Sequence, residues 1–277
     1  MISPAADVAT RLSALRLVSF IPHERDAVHV GLLSPDALQI IDLSSLGITD
    51  ALEALDQLDM LRRAAGAIIH GPTRTAFATG AVHLVAPIPL VRTVVMMSGG
   101  DAPVFTDPAT LHGPGGHLGR DDAAAARGGL AAIVGVTLEA RSEPDDTTLD
   151  RALIGTLLVL GWPQLGHDGA PELRPGAVGP FAAVPRRRPD SLILTQVAPL
   201  APDAPADRKV STSAPGDDAF FDLARRALVS HTLQPGDLLT IFPALGESPE
   251  QAAMPVTGGS WVRLSAPGLG TLSLAVR

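Results

Sequence analysis

Short apolar segments rich in Val, Ile and Leu alternate with polar turns along most of the chain. Over residues 15–33, two apolar runs flank a polar turn at 22–26, which predicts a β-hairpin, and a third strand follows at 38–43. Leucines then recur every third residue over 50–65, the spacing of one face of an amphipathic helix. The first part of the chain is therefore predicted to form a small sheet with one helix.

Beyond residue 85 the pattern predicts mostly strands, with Gly or Pro at their ends. They lie at 91–97, 130–138, 154–160, 192–197, 238–242, 261–264 and 271–276. One helix is predicted at 217–228, where acidic residues precede an apolar face, and 186–190 and 198–206 are predicted loops. The Pro-rich segment at 85–89 divides the chain into an N-terminal domain (1–85) and a C-terminal domain (86–277). The fold class is α+β, mostly β.

Composition excludes several functions. The 277 residues carry a formal net charge of -8 with no basic stripe, so the chain is not expected to bind nucleic acid. No apolar run is long enough for a membrane helix, and the N-terminus does not resemble a secretory signal. We therefore expect a cytoplasmic protein without a membrane partner.

The residue types that are present limit the chemistry. Cys and Tyr are absent and Lys209 is the only lysine, which excludes thiolate nucleophiles, phenolic acids and zinc-thiolate sites. G-x-S-x-G, P-loop and H-E-x-x-H motifs are also absent. The glycine-rich run 113–119 has the wrong spacing for a dinucleotide site and contains Pro114, and no strand before it or helix after it is predicted. No cofactor is expected.

Several short motifs nevertheless occur in a characteristic order. They are L-x-A-P-I-P at 84–89, a glycine loop at 111–115, a strand ending in I-V-G at 129–135, V-G-P at 178–180, T-L-x-P-G-D from 232, and G-L-G-T-L at 268–272. In this order they resemble the fumarylacetoacetate hydrolase family, from about residue 15 to the C-terminus. The resemblance implies a mixed β-roll after a small N-terminal α/β domain, and a dimer.

The functional residues of that family do not carry over. The resemblance implies that a Glu-x-Glu pair and a later Asp hold Mg²⁺ or a similar cation, but these positions are Arg127, Gly129 and, near the Asp, Leu160. The His-x-x-Glu lid that activates water is missing, and Asp107 replaces a family lysine. We therefore expect no metal at this site.

Candidate site residues follow from the same resemblance. Ser98, Gly99, Gly100 and Asp101 end a strand where the family binds substrate. Ser98 and Asp101 are predicted to be catalytic, and Gly99 and Gly100 to bind substrate through backbone amides; a tight turn left by the lid deletion is the alternative. Thr240 and Phe242, within the segment that replaces T-G-T-P, and Trp162 are also predicted to bind substrate, although a Trp that follows a core strand more often has a packing role.

Histidines and arginines leave further alternatives open. His112 and His117 flank the glycine loop, followed by Arg120, Asp121 and Asp122. This cluster is either a relocated metal or acid/base site, with His117 as a catalytic candidate, or an exposed polar loop. The run 186–188 is either a solvated loop or a clamp for an acidic substrate. His231 is expected to be a cation at a helix end.

Two functions remain. The first is a non-hydrolytic subunit or pseudoenzyme of a catabolic or biosynthetic pathway, forming a homodimer or a heteromer with a related chain. The second is a metal-independent enzyme, such as a decarboxylase, isomerase, cyclase or C–C hydrolase, that acts on a 2-oxo or 1,3-dicarbonyl acid. In either case a small carboxylic acid is the expected ligand.

Overall fold

The computed structural model describes residues 15–71, 74–88, 93–97, 103–106, 111–165, 171–197, 208–243 and 258–277. Its strands are β1 (Leu15–Pro22), β2 (His29–Leu33), β3 (Gln39–Asp42), β4 (Ala76–Ala78), β5 (Val82–Val85), β6 (Val94–Met97), β7 (Pro103–Thr106), β8 (His117–Leu118), β9 (Arg127–Val134), β10 (Leu153–Leu165), β11 (Pro171–Val184), β12 (Ser191–Val197), β13 (Arg208–Ser213), β14 (Leu238–Ile241), β15 (Trp261–Ala266) and β16 (Gly270–Val276). Its helices are α1 (Ala51–Asp56), α2 (Leu58–His70), α3 (Arg120–Ala124), α4 (Asp146–Ala152) and α5 (Asp217–Leu228).

The strands form two sheets. The larger has the order β4-β3-β2-β1-β11-β10-β9-β14-β6-β7, with β5 also paired to β1, and the smaller has the order β13-β12-β15-β16-β8. Antiparallel pairing of β1 with β11, in which Leu15 lies opposite Val184, joins the N-terminal strands to later ones in one sheet. The mostly β, α+β fold class is confirmed. The domain boundary near residue 85 stays a prediction.

The larger sheet is buried on both faces. Along β9, Leu130 and Ala132 belong to one apolar cluster, which includes residues of α5, whereas Ala131 and Ile133 belong to another, which includes residues of α1 and α2. Side chains of a strand alternate between faces, so central strands covered on both sides are apolar throughout. These apolar strands are thus buried within the chain itself.

The helix expected over 50–65 is two helices. Asp50 caps α1 by accepting hydrogen bonds from the backbone N–H groups of Leu52 (2.8 Å) and Glu53 (2.9 Å). The chain leaves helical geometry at Gln57, and α2 then continues to His70. Leucine spacing identified the helical region but not the break or the C-terminal end.

Most other predicted elements are confirmed. β1, β2 and β3 form the predicted hairpin and third strand, and α5 has the predicted bounds. The seven later strands occur as β6, β9, β10, β12, β14, β15 and β16, with β9 ending at Val134 rather than at residue 138. The predicted loop 186–190 contains no strand or helix, whereas 198–206 lies outside the described residues. The expectation that no helix follows the glycine-rich run was wrong, since α3 begins at Arg120. No helix within the described ranges is long and apolar enough to span a membrane.

The longest strand, β11, was not predicted. Its sequence contains Pro171, Pro175 and Pro180 together with two glycines, which are typical of turns. The ladder between β10 and β11 shifts register between Thr156 and Leu158 and again between Leu160 and Gly161. Such irregularities accommodate residues that cannot pair in a regular ladder, as prolines cannot.

Candidate functional site

Two adjacent strands, β9 and β10, place two of the expected metal-ligand positions on one face of the larger sheet. Gly161 of β10 pairs with Arg127 of β9, and Val159 pairs with Gly129. Because side chains alternate, Arg127, Gly129 and Gly161 share a face, whereas Leu160 packs into the cluster on the other side. The position that faces Arg127 and Gly129 from β10 is therefore Gly161, not Leu160.

The side chain of Phe242 lies directly on this face. A Cβ atom placed on Gly129 would be 2.7 Å from Cδ1 of Phe242, and one placed on Gly161 would be 2.5 Å from its Cζ. Both distances are far below van der Waals contact. The half-buried aromatic ring thus fills the space that side chains at positions 129 and 161 would need.

The residues on this face do not fit a metal ion. A hard cation such as Mg²⁺ or Mn²⁺ needs several oxygen ligands. Here the positions supply a guanidinium group, two glycines and an aromatic ring, and the positive charge of Arg127 repels a cation. Within the described residues, no group of three or more His, Cys, Asp or Glu is placed to hold a metal.

Two predicted substrate-binding residues are buried. Thr240 is fully buried in β14 between Met96 of β6 and Ala131 of β9. Trp162 is 7% exposed and packs on Gly176, where a Cβ atom would be 2.0 Å from Cη2 of the indole. These are the surroundings of core residues, and substrate-binding roles for both remain predictions.

Other predicted site residues lie outside the described residues. This group comprises Ser98, Gly99, Gly100 and Asp101, and Asp107, which stands in place of the family lysine, also lies there. The catalytic roles assigned to Ser98 and Asp101, and the substrate-binding roles assigned to Gly99 and Gly100, remain predictions.

The glycine loop lines an open cleft of about 560 Å³ that also includes a third histidine. His83 of β5 lies in its wall with His112 and His117, whereas Asp121 and Asp122 of α3 do not. The convergence of two imidazoles with two carboxylates, considered from the sequence, is therefore absent from this cleft. The spacing of residues in the sequence did not indicate His83 as a site residue, because only the fold places β5 beside the glycine loop.

The loop is held in place by backbone contacts. His112 donates its backbone N–H to the carbonyl of Gly176 (2.8 Å) and accepts one from Val178 (2.9 Å), so it is fixed to β11. Gly113 lies so close to β5 that a Cβ atom there would be 2.4 Å from the carbonyl carbon of Val85. The glycine is required by this close approach.

The arginine run pairs with the protein's own carboxylates. The side chain of Arg186 is 6% exposed and contacts Asp150 (2.7 Å) and Asp217 (3.0 Å). Arg188 contacts the same two residues, at 3.0 and 2.6 Å. Burial lowers the pKa of Arg186 from its usual value. The run links α4 to α5, so neither a fully solvated loop nor a free clamp describes it.

His231 follows α5 and contacts a neighbouring strand. Its ring stacks on Phe105 of β7 with the two centroids 3.7 Å apart, and its backbone N–H bonds to the carbonyl of Ala227 in the last turn of the helix. The position near a helix end is as expected, and the stacking contact is an addition that the sequence did not indicate.

Comparison with known proteins identifies the fold but no relative by sequence. No family model matches the chain, and no curated protein matches it. Among solved structures, maleylpyruvate hydrolase from Sphingobium sp. SYK-6, in complex with manganese(II) and pyruvate, is similar with a TM-score of 0.65 and 18% identity, covering 94% of this chain and 98% of that one.

Two further structures show the same architecture. Fumarylacetoacetate hydrolase from Exiguobacterium antarcticum has a TM-score of 0.62 and 15% identity, covering 95% of this chain and 99% of that one. 2-Hydroxyhepta-2,4-diene-1,7-dioate isomerase from Mycobacterium marinum has a TM-score of 0.58 and 18% identity, covering 95% and 98%. The chain therefore has the fold of these enzymes, which confirms the fold that the motifs implied.

Proposed function

We propose that this chain, which has the fold of fumarylacetoacetate hydrolase, is a divergent relative of that family that serves as a non-hydrolytic subunit or pseudoenzyme. The observation that supports this most directly is the Phe242 ring lying on Gly129 and Gly161. It occupies the sheet face on which the resemblance places the family's metal ligands. The pathway would be catabolic or biosynthetic, with a small carboxylic acid as ligand.

The chemistry of hydrolysis explains why this face matters. Cleaving a C–C bond beside a carbonyl requires that the carbonyl be polarised and that a water molecule be activated. On this face a phenyl ring and two glycines supply neither a Lewis acid nor a base. Arg127 provides positive charge, but a guanidinium does not lose a proton at neutral pH and so cannot deprotonate water.

A second candidate function is favoured by the histidines of the cleft. His83, His112 and His117 line it together, and imidazole is the side chain best suited to moving protons near neutral pH. This would support a metal-independent decarboxylase, isomerase, cyclase or C–C hydrolase acting on a 2-oxo or 1,3-dicarbonyl acid, with His117 as the predicted catalytic group.

Association with a second chain belongs to the same proposal. A subunit without catalytic activity acts through a partner chain, so we expect a homodimer or a heteromer with a related chain. The central apolar strands are buried within the chain and offer no interface, so the expected dimer rests on the family resemblance. Light scattering of the purified protein should give a dimer; a monomer that recovers no related chain in a pull-down would contradict the subunit role. A cytoplasmic location, testable by cell fractionation, completes the proposal.

An activity assay separates the two functions. The full chain is incubated with maleylpyruvate and fumarylacetoacetate, with and without Mn²⁺, beside the Sphingobium enzyme as a positive control. We expect no turnover under either condition. Turnover that requires Mn²⁺ would overturn the proposal, and metal-independent turnover that is lost in His117→Gln would favour the second function.

A further inference from the structure

The cleft between His83 and the loop 111–117 has the size of a small-molecule site. Its volume of about 560 Å³ lies within the range of roughly 300–1,000 Å³ that is typical of ligand pockets. We propose that this three-histidine cleft binds a small organic anion that carries a carboxylate on an apolar body. The site is independent of whether the chain is catalytically silent.

The charge of the lining favours an anion. The chain has a formal net charge of -8, yet among the described residues the cleft is lined by three histidines and by no Asp or Glu. An imidazole donates one N–H when neutral and two when protonated. None of the three imidazoles has a hydrogen bond or ion pair with the part of the chain that the structure describes. Their donors are therefore available to a ligand.

The lining also argues against a metal ion and for an organic ligand. A metal needs at least three ligating side chains around one point, and no such group exists among the described residues. The rest of the wall includes Leu84, Ile88 and Leu111. Apolar side chains beside hydrogen-bond donors are suited to a molecule with a charged end and a hydrocarbon or aromatic body.

The three histidines are fixed by three separate strand contacts. His83 of β5 pairs with Ile21 of β1, and His117 of β8 pairs with Ala275 of β16. Both the backbone N–H and the backbone carbonyl of His112 form hydrogen bonds with β11. Because the backbone at these three positions is held before a ligand arrives, little backbone ordering is lost on binding.

Titration calorimetry of the full chain tests the site with three probes. Benzoate has a carboxylate on an apolar ring, pyruvate has a carboxylate on a small body, and inorganic phosphate is an anion with no apolar part. We expect saturable binding of one benzoate per chain, at least about tenfold tighter than phosphate. Absence of saturable benzoate binding, or equal affinity for phosphate, would overturn the proposal.

Single substitutions test whether benzoate binds in the cleft. His112→Gln and His117→Gln, both at exposed positions, should each weaken benzoate by about tenfold. His70→Gln, at the exposed end of α2, is the matched control and should leave the affinity unchanged. Unchanged affinity in both cleft variants, or an equal loss in the control, would contradict the assignment.

A measurement on the unmodified chain covers the case in which a variant does not fold. In ¹H–¹⁵N spectra of the imidazole rings, benzoate should shift the signals of His83, His112 and His117 and leave that of His70 in place. Shifts confined to other histidines would overturn the proposal. So would a dimer in which a second copy covers the cleft and benzoate no longer binds.

Discussion

The ring of Phe242 occupies the place that a side chain at position 161 would need, since a Cβ atom on Gly161 would lie 2.5 Å from Cζ of Phe242. Gly161 lies in β10, and Phe242 directly follows β14. The two residues fit together because Phe242 has a large side chain and Gly161 has none. The same ring covers Gly129. The two glycines and the aromatic side chain thus form one packing arrangement.

This arrangement predicts coupling between the two positions. Gly161→Ala should destabilise the protein by roughly 1–3 kcal/mol, because the added methyl group overpacks the site. The cost should shrink in the background of Phe242→Ala, although part remains because the carbonyl oxygen of Arg174 lies 2.8 Å from the new Cβ. Urea unfolding of both single variants and the double variant measures the coupling.

A glycine in open space supplies the control. Gly66 lies inside α2, and apart from the backbone of that helix no atom of the described residues lies within 4 Å of its would-be Cβ, so Gly66→Ala should stabilise the protein by about 0.5–1 kcal/mol. Equal costs for Gly161→Ala with and without the Phe242 ring would show that the ring is not what fills the site.

The arginine pair predicts unequal effects for two residues with the same partners. Arg186 is 6% exposed and Arg188 is 64% exposed, yet both contact Asp150 and Asp217. Arg186→Ala should cost roughly 1.5–3 kcal/mol, because it removes a buried guanidinium from its contact with the partly buried Asp217 and from above the Phe221 ring. Arg188→Ala should cost at most about 1 kcal/mol. Similar costs in denaturant unfolding would contradict the structure.

The capping residue of α4 predicts a loss of stability in acid. Hydrogen bonds from Thr148 lower the pKa of the Asp145 carboxyl from its ordinary value. The corresponding stability is fully present above the ordinary Asp pKa of about 3.9 and declines as the pH falls through the lowered pKa of the folded state. Asp145→Asn should therefore lose less stability than the wild type on acidification, measured by thermal unfolding. Identical pH profiles would contradict this cause.

The two tryptophans predict contrasting sensitivities. Trp162 is 7% exposed against Gly176, whereas Trp261 is 39% exposed on β15. Trp162→Ala should cost about 3–5 kcal/mol, since it leaves a large cavity in the core. Trp261→Ala should cost much less. Thermal unfolding measures both, and a Trp162 variant with unchanged stability would show that the side chain does not pack as described.

Periodicity was sufficient where strands and helices have regular patterns. The apolar face of α5 and the β-branched runs of β10, β12 and β16 gave their positions from local sequence alone. β11 was missed because its prolines and glycines look like turns, and its strand character depends on pairing with β1 and β10. Local sequence carries no information about such long-range pairing.

The sequence indicated little of how the candidate site is packed. The family resemblance implies that Arg127 and Gly129 stand where carboxylates would, which led to the expectation of no metal there. The sequence does not show that Phe242 lies over Gly129 and Gly161, or that His83 joins His112 and His117, because these contacts arise from strands far apart in the chain. Leu160, near which the later ligand position was expected, lies on the opposite face of β10 from Gly161.

Titration of the purified chain with Mn²⁺, followed by the paramagnetic resonance signal of the free ion, tests the central claim most directly. The Sphingobium enzyme serves as the positive control. We predict that this chain leaves the free Mn²⁺ signal undiminished, and that neither Phe242→Ala nor Arg127→Ala creates a site, because no carboxylate of the part of the chain that the structure describes is placed to hold a metal there. A stoichiometric loss of the free-ion signal with the wild-type chain would contradict the account.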